Sequence, residues 1–140
     1  MSKIAQLVLV ITTLILTGCS PRGMVHKEVN MGDGTTALEI FCGGGYRSFS
    51  DCRNYRYALW RMWNEQMPIA MIIGLNPSTA DQTRNDPTIT RCISFARSWG
   101  YGGVCVTNLF GFRATSPTQL KAHHDPIGKE NDAWVHEMAK

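Results

Sequence analysis

Asn76, Ser78, Thr79 and Asp81 bring an amide, two hydroxyls and a carboxylate together directly after Gly74 and around Pro77. Short polar side chains at that spacing suit capture of a polar ligand. The same residue types also form turns that satisfy a loop's own amides, and both readings stay open. The stretch before them, Ile69-Ala70-Met71-Ile72-Ile73, is apolar at every position, the pattern of a strand covered on both faces. Gly74 permits a tight turn or a close approach to a ligand, and Pro77 stops the ladder. The polar cluster therefore falls just past the carboxyl end of a buried strand, where open α/β sheets bind ligands. Asn108 ends a second apolar strand and is placed beside the same loop, to orient Asn76 or a ligand. The candidate ligand-binding residues are Gly74, Pro77, Ser78, Thr79, Asp81, Asn108 and Arg113.

Other chemistry is less well supported by spacing. His123-His124 has no third ligand at a suitable distance and there is no Cys-x-x-Cys pair, so neither a metal nor a cofactor is expected. Arg84, Arg91, Arg97 and Arg113 surround the polar loop in sequence and would give it a locally positive face, although scattered solvated arginines are the plainer reading. A formal net charge of +3 is too small to argue for nucleic acid by itself. Trp60, Met62 and Trp63 stand at strand spacing and read as core.

The elements that must position the loop are legible from period and caps. Tyr55 to Trp63 reads as an aromatic-rich strand and Ile69 to Ile73 as the next. Asp86 caps a helix with Pro87 at its first position, Ile89, Cys92, Ile93 and Ala96 follow the helical period, and Gly100 ends it. Val104 to Phe110 is the following strand. Ser116-Pro117-Thr118-Gln119 has the capping-box pattern of a short helix. A last helix is predicted from about Ile127 onward, with Ile127, Trp134, Val135 and Met138 on one face. Strands alternating with capped helices predict an α/β fold, a layered mixed or parallel sheet flanked by helices. It reads as incomplete at the C-terminus, because no strand follows to cover the last helix face. Cys92 and Cys105 read as small buried hydrophobes.

The amino-terminal part is of another kind. Lys3 precedes an apolar run from Ile4 to Leu16, too short to span a bilayer but suited to a signal peptide. Leu16-Thr17-Gly18-Cys19 resembles the lipobox of bacterial lipoproteins, which implies lipidation of Cys19 by palmitate, a membrane partner and an envelope localisation. A cytoplasmic location is the alternative if the leader is not used. Residues 20–53 form a loosely structured Gly/Ser-rich segment with one strand candidate, Ala37 to Phe41. Cys42 and Cys52 flank Gly43-Gly44-Gly45 and would pair in an oxidising compartment. The expected division is 1–19 as signal peptide, 20–53 as linker or small module, and 54–140 as the α/β domain.

Ordered motifs in that domain resemble one family: Tyr55-Arg56-Tyr57-Ala58-Leu59-Trp60-Arg61, Leu75-Asn76-Pro77-Ser78-Thr79-Ala80-Asp81, Asn85-Asp86-Pro87-Thr88, Asn108-Leu109-Phe110, Arg113-Ala114-Thr115 and Asp125-Pro126-Ile127-Gly128. They are similar to the family catalogued as domain of unknown function 1643, which carries no established activity. Gly74-Leu75-Asn76-Pro77-Ser78 is also similar to a motif of the uracil-DNA glycosylase superfamily, as is Thr107-Asn108-Leu109 with Arg113. That second resemblance implies that Asn76 positions an attacking water and that a nucleotide or nucleic acid is bound near Pro77 to Ala80. Three functions follow as expectations: a nucleotide- or nucleic-acid-binding, glycosylase-like domain; a lipid-anchored binding or structural module; or a gene-fusion product without evolved activity.

Overall fold

The apolar runs become the interior of a mixed sheet. The computed structural model describes residues 8–10, 25–41, 54–80 and 84–140. Among these residues the strands are β1 (Val8–Val10), β2 (Val25–Asn30), β3 (Thr36–Phe41), β4 (Arg56–Met62), β5 (Ile69–Gly74) and β6 (Gly103–Asn108). The helices are α1 (Pro87–Ser98), α2 (Pro117–Ala122) and α3 (Asn131–Met138). The strands lie in the order β1-β5-β6-β4-β3-β2. Only β5 and β6 pair in parallel, joined through α1 as a βαβ unit; the other pairings are antiparallel.

Burial on both sheet faces explains why β5 and β6 read as unbroken apolar runs. On one face Leu59, Ala70, Ile72, Val104 and Val106 pack against Ile89, Cys92 and Ala96 of α1. On the other, Tyr57, Ala58, Trp60, Met71 and Cys105 pack against Trp134 and Met138 of α3. Strand alternation then decides where the polar end of β6 points, because Asn108 follows Val104 and Val106 onto the α1 side.

A register shift does the same for Arg56. Ile40 stands opposite Ala58 but Phe41 stands opposite Arg56, so β4 carries an extra residue at Tyr57. Tyr57 and Ala58 both join the α3-side cluster. The bulge thus turns Arg56 to the α1 side, where strict alternation from Ala58 and Trp60 would have put it on the α3 side.

The helix ends follow the sequence signals closely. Asp86 Oδ1 accepts from the Ile89 amide at 2.9 Å, with Pro87 at the first position. Trp99 is the C-cap and Gly100, at φ 80°, is the left-handed residue that releases the chain. Ser116 caps α2 by accepting from the Gln119 amide. Gln119 does not return the bond to Ser116: its Oε1 accepts from Thr115 N and Thr115 Oγ1 instead. The last helix begins later than its period predicts, at Asn131 and not near Ile127, because Gly128 at φ 86° lies between them in a conformation a right-handed helix excludes. Ile127 is accordingly exposed.

Two expectations are corrected here. Val8–Val10, within the apolar run, form β1, whose Leu9 stands opposite Ile72 of β5. No helix among the described residues is long and apolar enough to cross a membrane. The membrane partner, the palmitate-bearing lipid anchor and the envelope localisation are overturned on these findings. Cys19, Cys42 and Cys52 lie outside the described residues. The last helix, moreover, does not leave an apolar face bare, since Trp134 and Met138 are buried in the cluster under β4.

Cys92 and Cys105 are free and buried. Burial, with the Asp86 charge second, pushes the Cys92 thiol from 9.0 up to about 11, and burial alone pushes Cys105 higher still. Because the folded state holds these protons more tightly than the unfolded chain, their contribution to stability is complete below about pH 9. It is lost as the pH rises through about 11. Urea midpoints that are flat to pH 9 and fall above it are expected, with neither thiol alkylated by iodoacetamide at neutral pH without denaturant.

Candidate functional site

The site is built where the parallel strands end. Gly74 and Asn108 are register partners. Pairing continues for two bonds beyond, from Leu109 N to Gly74 O at 3.0 Å and from Phe110 N to Leu75 O at 2.9 Å. Past this point the chains part, and a cavity of about 320 Å³ opens between the strand ends and the first turns of α1 and α2. Ile72, Val106, Ile89 and Cys92 give it an apolar wall, while Arg56, Asn76, Ser78, Asp86 and Asn108 supply polar groups.

Asn108 is the most constrained of these. It is 97% buried, being 3% exposed, and its Nδ2 has no hydrogen-bond partner among the described residues. Its backbone carbonyl is held by Asn131 Nδ2 at 2.9 Å, and the same amide also donates to Leu109 O at 3.1 Å. Asn131, fully buried at the start of α3, thereby fixes the end of β6 from below. A buried amide without a partner is costly in a native protein, and the usual reason for keeping one is a ligand or water that completes it.

Gly74 is needed because that amide lies across it. A β-carbon there would stand 2.8 Å from Asn108 Oδ1, a side-chain end that is able to move. Gly74→Ala is therefore expected to fold with a loss of about 1–3 kcal/mol, because a buried side-chain end and not backbone has to yield. The Asn108 amide would be displaced in the process, a change visible as a shifted side-chain amide resonance in NMR spectra.

The polar loop is tied down by its surroundings. Arg56 Nη1 and Arg113 Nη2 both donate to the Ala80 carbonyl, the latter at 3.1 Å. Asp86 Oδ2 accepts from the Ala80 amide at 3.3 Å, so one carboxylate caps α1 and anchors the loop together. Pro77 O accepts from Ala114 N at 3.0 Å. Asn76 Nδ2 donates to Ala114 O at 2.8 Å and to Pro77 O at 3.0 Å. Both donors of Asn76 are thus engaged with the backbone, and Oδ1 is the end left to meet a ligand or water. Behind the loop, buried Arg61 donates to Asn85 Oδ1 and to Trp60 O, each at 2.9 Å.

Of the residues named from sequence, Gly74, Asn76, Ser78 and Asn108 come together on the cavity. Pro77 and Arg113 act on the loop backbone, and Thr79 is exposed outside the cavity lining. Asp81 lies outside the described residues. Arg56, Asp86 as a loop anchor, and Asn131 were missed. An arginine at the start of a buried strand was the available signal for Arg56; nothing local marked Asn131. Arginines near the loop in sequence have different tasks: Arg113 holds Ala80, whereas the Arg97 guanidinium lies 4.5 Å over the Trp63 ring. His123 stacks on Phe112 with ring centroids 3.8 Å apart. Among the described residues no group of three His, Cys, Asp or Glu side chains could hold a metal ion.

The model of the family described as "Protein of unknown function (DUF1643)" matches residues 56–140, a span that contains every cavity-lining residue. No curated protein and no solved structure matches the chain.

Proposed function

The chain belongs to that family, and from this premise we propose that the cavity at the ends of β5 and β6 binds a nucleotide, or one nucleotide of a nucleic acid, by its base. The observation that carries the reading is the buried Asn108 amide with its unused Nδ2. A carboxamide offers a donor and an acceptor side by side, which matches the paired donor and acceptor on the edge of a base. The apolar wall of Ile72, Val106 and Ile89 suits the ring faces. A volume of about 320 Å³ stands at the small end of ligand pockets and suits a single base better than a larger molecule.

The glycosylase analogy adds a specific role for Asn76. With Nδ2 committed to Ala114 O and Pro77 O, its Oδ1 has a fixed direction and accepts from a water, as attack on a glycosidic carbon requires. Titration of the full chain with the free bases and nucleoside monophosphates, followed by calorimetry, tests the binding reading. Saturable binding that Gly74→Ala weakens at least tenfold is the expected result. Lack of binding across that panel would sink it. Release of free base from a uracil-containing oligonucleotide, abolished in Asn76→Ala, separates catalysis from binding alone.

A further inference from the structure

Resting on that reading of the cavity, we infer that the outward face of α1 is a track for single-stranded nucleic acid whose terminal or flipped base occupies the cavity. The face begins at Thr88, which lines the cavity, and continues at helical spacing through Arg91, Phe95 and Trp99. These eleven steps span about 16 Å along the helix axis. Phe95 and Trp99 are each 43% exposed, and their rings are stacked with centroids 5.5 Å apart and planes at 11°. Two parallel aromatic planes left in water present a flat π face of the kind on which bases stack without regard to sequence.

Charge selects the partner. Residues 87–99 contain Arg91 and Arg97 and no carboxylate, and Thr88 and Ser94 are exposed, whereas the Thr90 and Ser98 hydroxyls donate to Asp86 O and Phe95 O. Arg97 lies on the other flank of the helix, its guanidinium 4.5 Å over the Trp63 ring, and Trp63 Nε1 is itself tied to Tyr101 O at 3.0 Å, so Arg91 is the cation on the aromatic face. A cation, Arg91, one turn from stacked aromatics on a helix without carboxylates complements a phosphate backbone with unpaired bases. A protein partner that buried two aromatics would more often meet an apolar rim than this cationic one.

The test uses the full chain and labelled oligothymidylate and oligouridylate, read by fluorescence anisotropy over a range of salt. The wild type is expected to bind at least one of them, with affinity falling steeply as salt rises. Phe95→Ala/Trp99→Ala is expected to weaken oligonucleotide binding at least tenfold and to leave mononucleotide binding in the cavity unchanged. Arg91→Gln is expected to lower the salt slope by about 0.7, the value for one phosphate contact on a single strand. A preference for one oligonucleotide assigns the track to DNA or to RNA. Oligonucleotide affinity unchanged in the double variant overturns the inference while leaving the cavity reading intact. Loss of mononucleotide binding in wild type removes the cavity reading instead. A change of oligomeric state by sedimentation in the double variant, with no change in oligonucleotide affinity, reassigns the face to self-association and also overturns it.

Discussion

Asn108→Leu is expected to raise the stability of the domain and to empty its cavity of ligand, both from one change. Leucine has nearly the shape of asparagine, so the space over Gly74 stays filled. What disappears is a buried Nδ2 that has no partner among the described residues. Leaving such a donor unsatisfied costs about 1–3 kcal/mol, and replacing it by an apolar group of the same shape recovers much of that. A rise in unfolding free energy of about 1–2 kcal/mol in urea is therefore expected, together with loss of calorimetrically detectable nucleotide binding. The backbone is not the cause, because Asn131 holds the carbonyl of residue 108, which the substitution leaves untouched. Gains in stability on removing a polar group mark positions kept for function. A destabilised variant would mean that the amide already has its partner inside the fold, and the argument for a ligand would fail with it.

The parts of this architecture that sequence made legible are those set by short-range rules. The all-apolar run at Ile69, the Asp86-Pro87 start and the Gly100 stop each depend on a few neighbouring residues, and each stands where it was read. The loop that lines the cavity was legible for the same reason, since Gly74 and Asn76 follow directly on the strand. What escaped depends on contacts distant in sequence. Arg56 faces the cavity only because β4 bulges against β3 at Tyr57, a matter of register between strands that no local period encodes. Asn131 matters through a bond to Asn108, twenty-three residues away. The strand at Val8 escaped because a short apolar segment carries no local mark of the partner it pairs with, here β5. The alternative that the loop residues are turn formers has support, since Asn76 knits the loop through both donors of its amide while it also lines the cavity.

Gly102→Ala should produce the largest loss of stability, far from the cavity but acting on it through strand register. The turn between β4 and β5 folds directly onto Gly102. Trp63 N and Asn64 N both donate to its carbonyl at 2.9 Å, and its own amide donates to Pro68 O at 2.8 Å. A β-carbon at this position would stand 2.0 Å from Asn64 O and 2.7 Å from Met67 Cβ. The first of these atoms is backbone, fixed by the bonds just named, so no rotamer change relieves the contact. A cost of about 4 kcal/mol or more is expected, the range reached when backbone must move or a buried network breaks. Gly100 provides the control two residues earlier. Its φ is 80° but a β-carbon there meets nothing within 4 Å, so Gly100→Ala should cost only about 1 kcal/mol, from the left-handed backbone. The difference reaches the cavity because Gly103 aligns β6 with Met62 of β4 and Ile69 of β5. A slip of one residue at that end would carry Asn108 to the α3 face. Thermal melts of the two variants side by side decide the matter: equal losses would show that the Asn64 turn does not close over Gly102, and the register of β6 would then need another anchor.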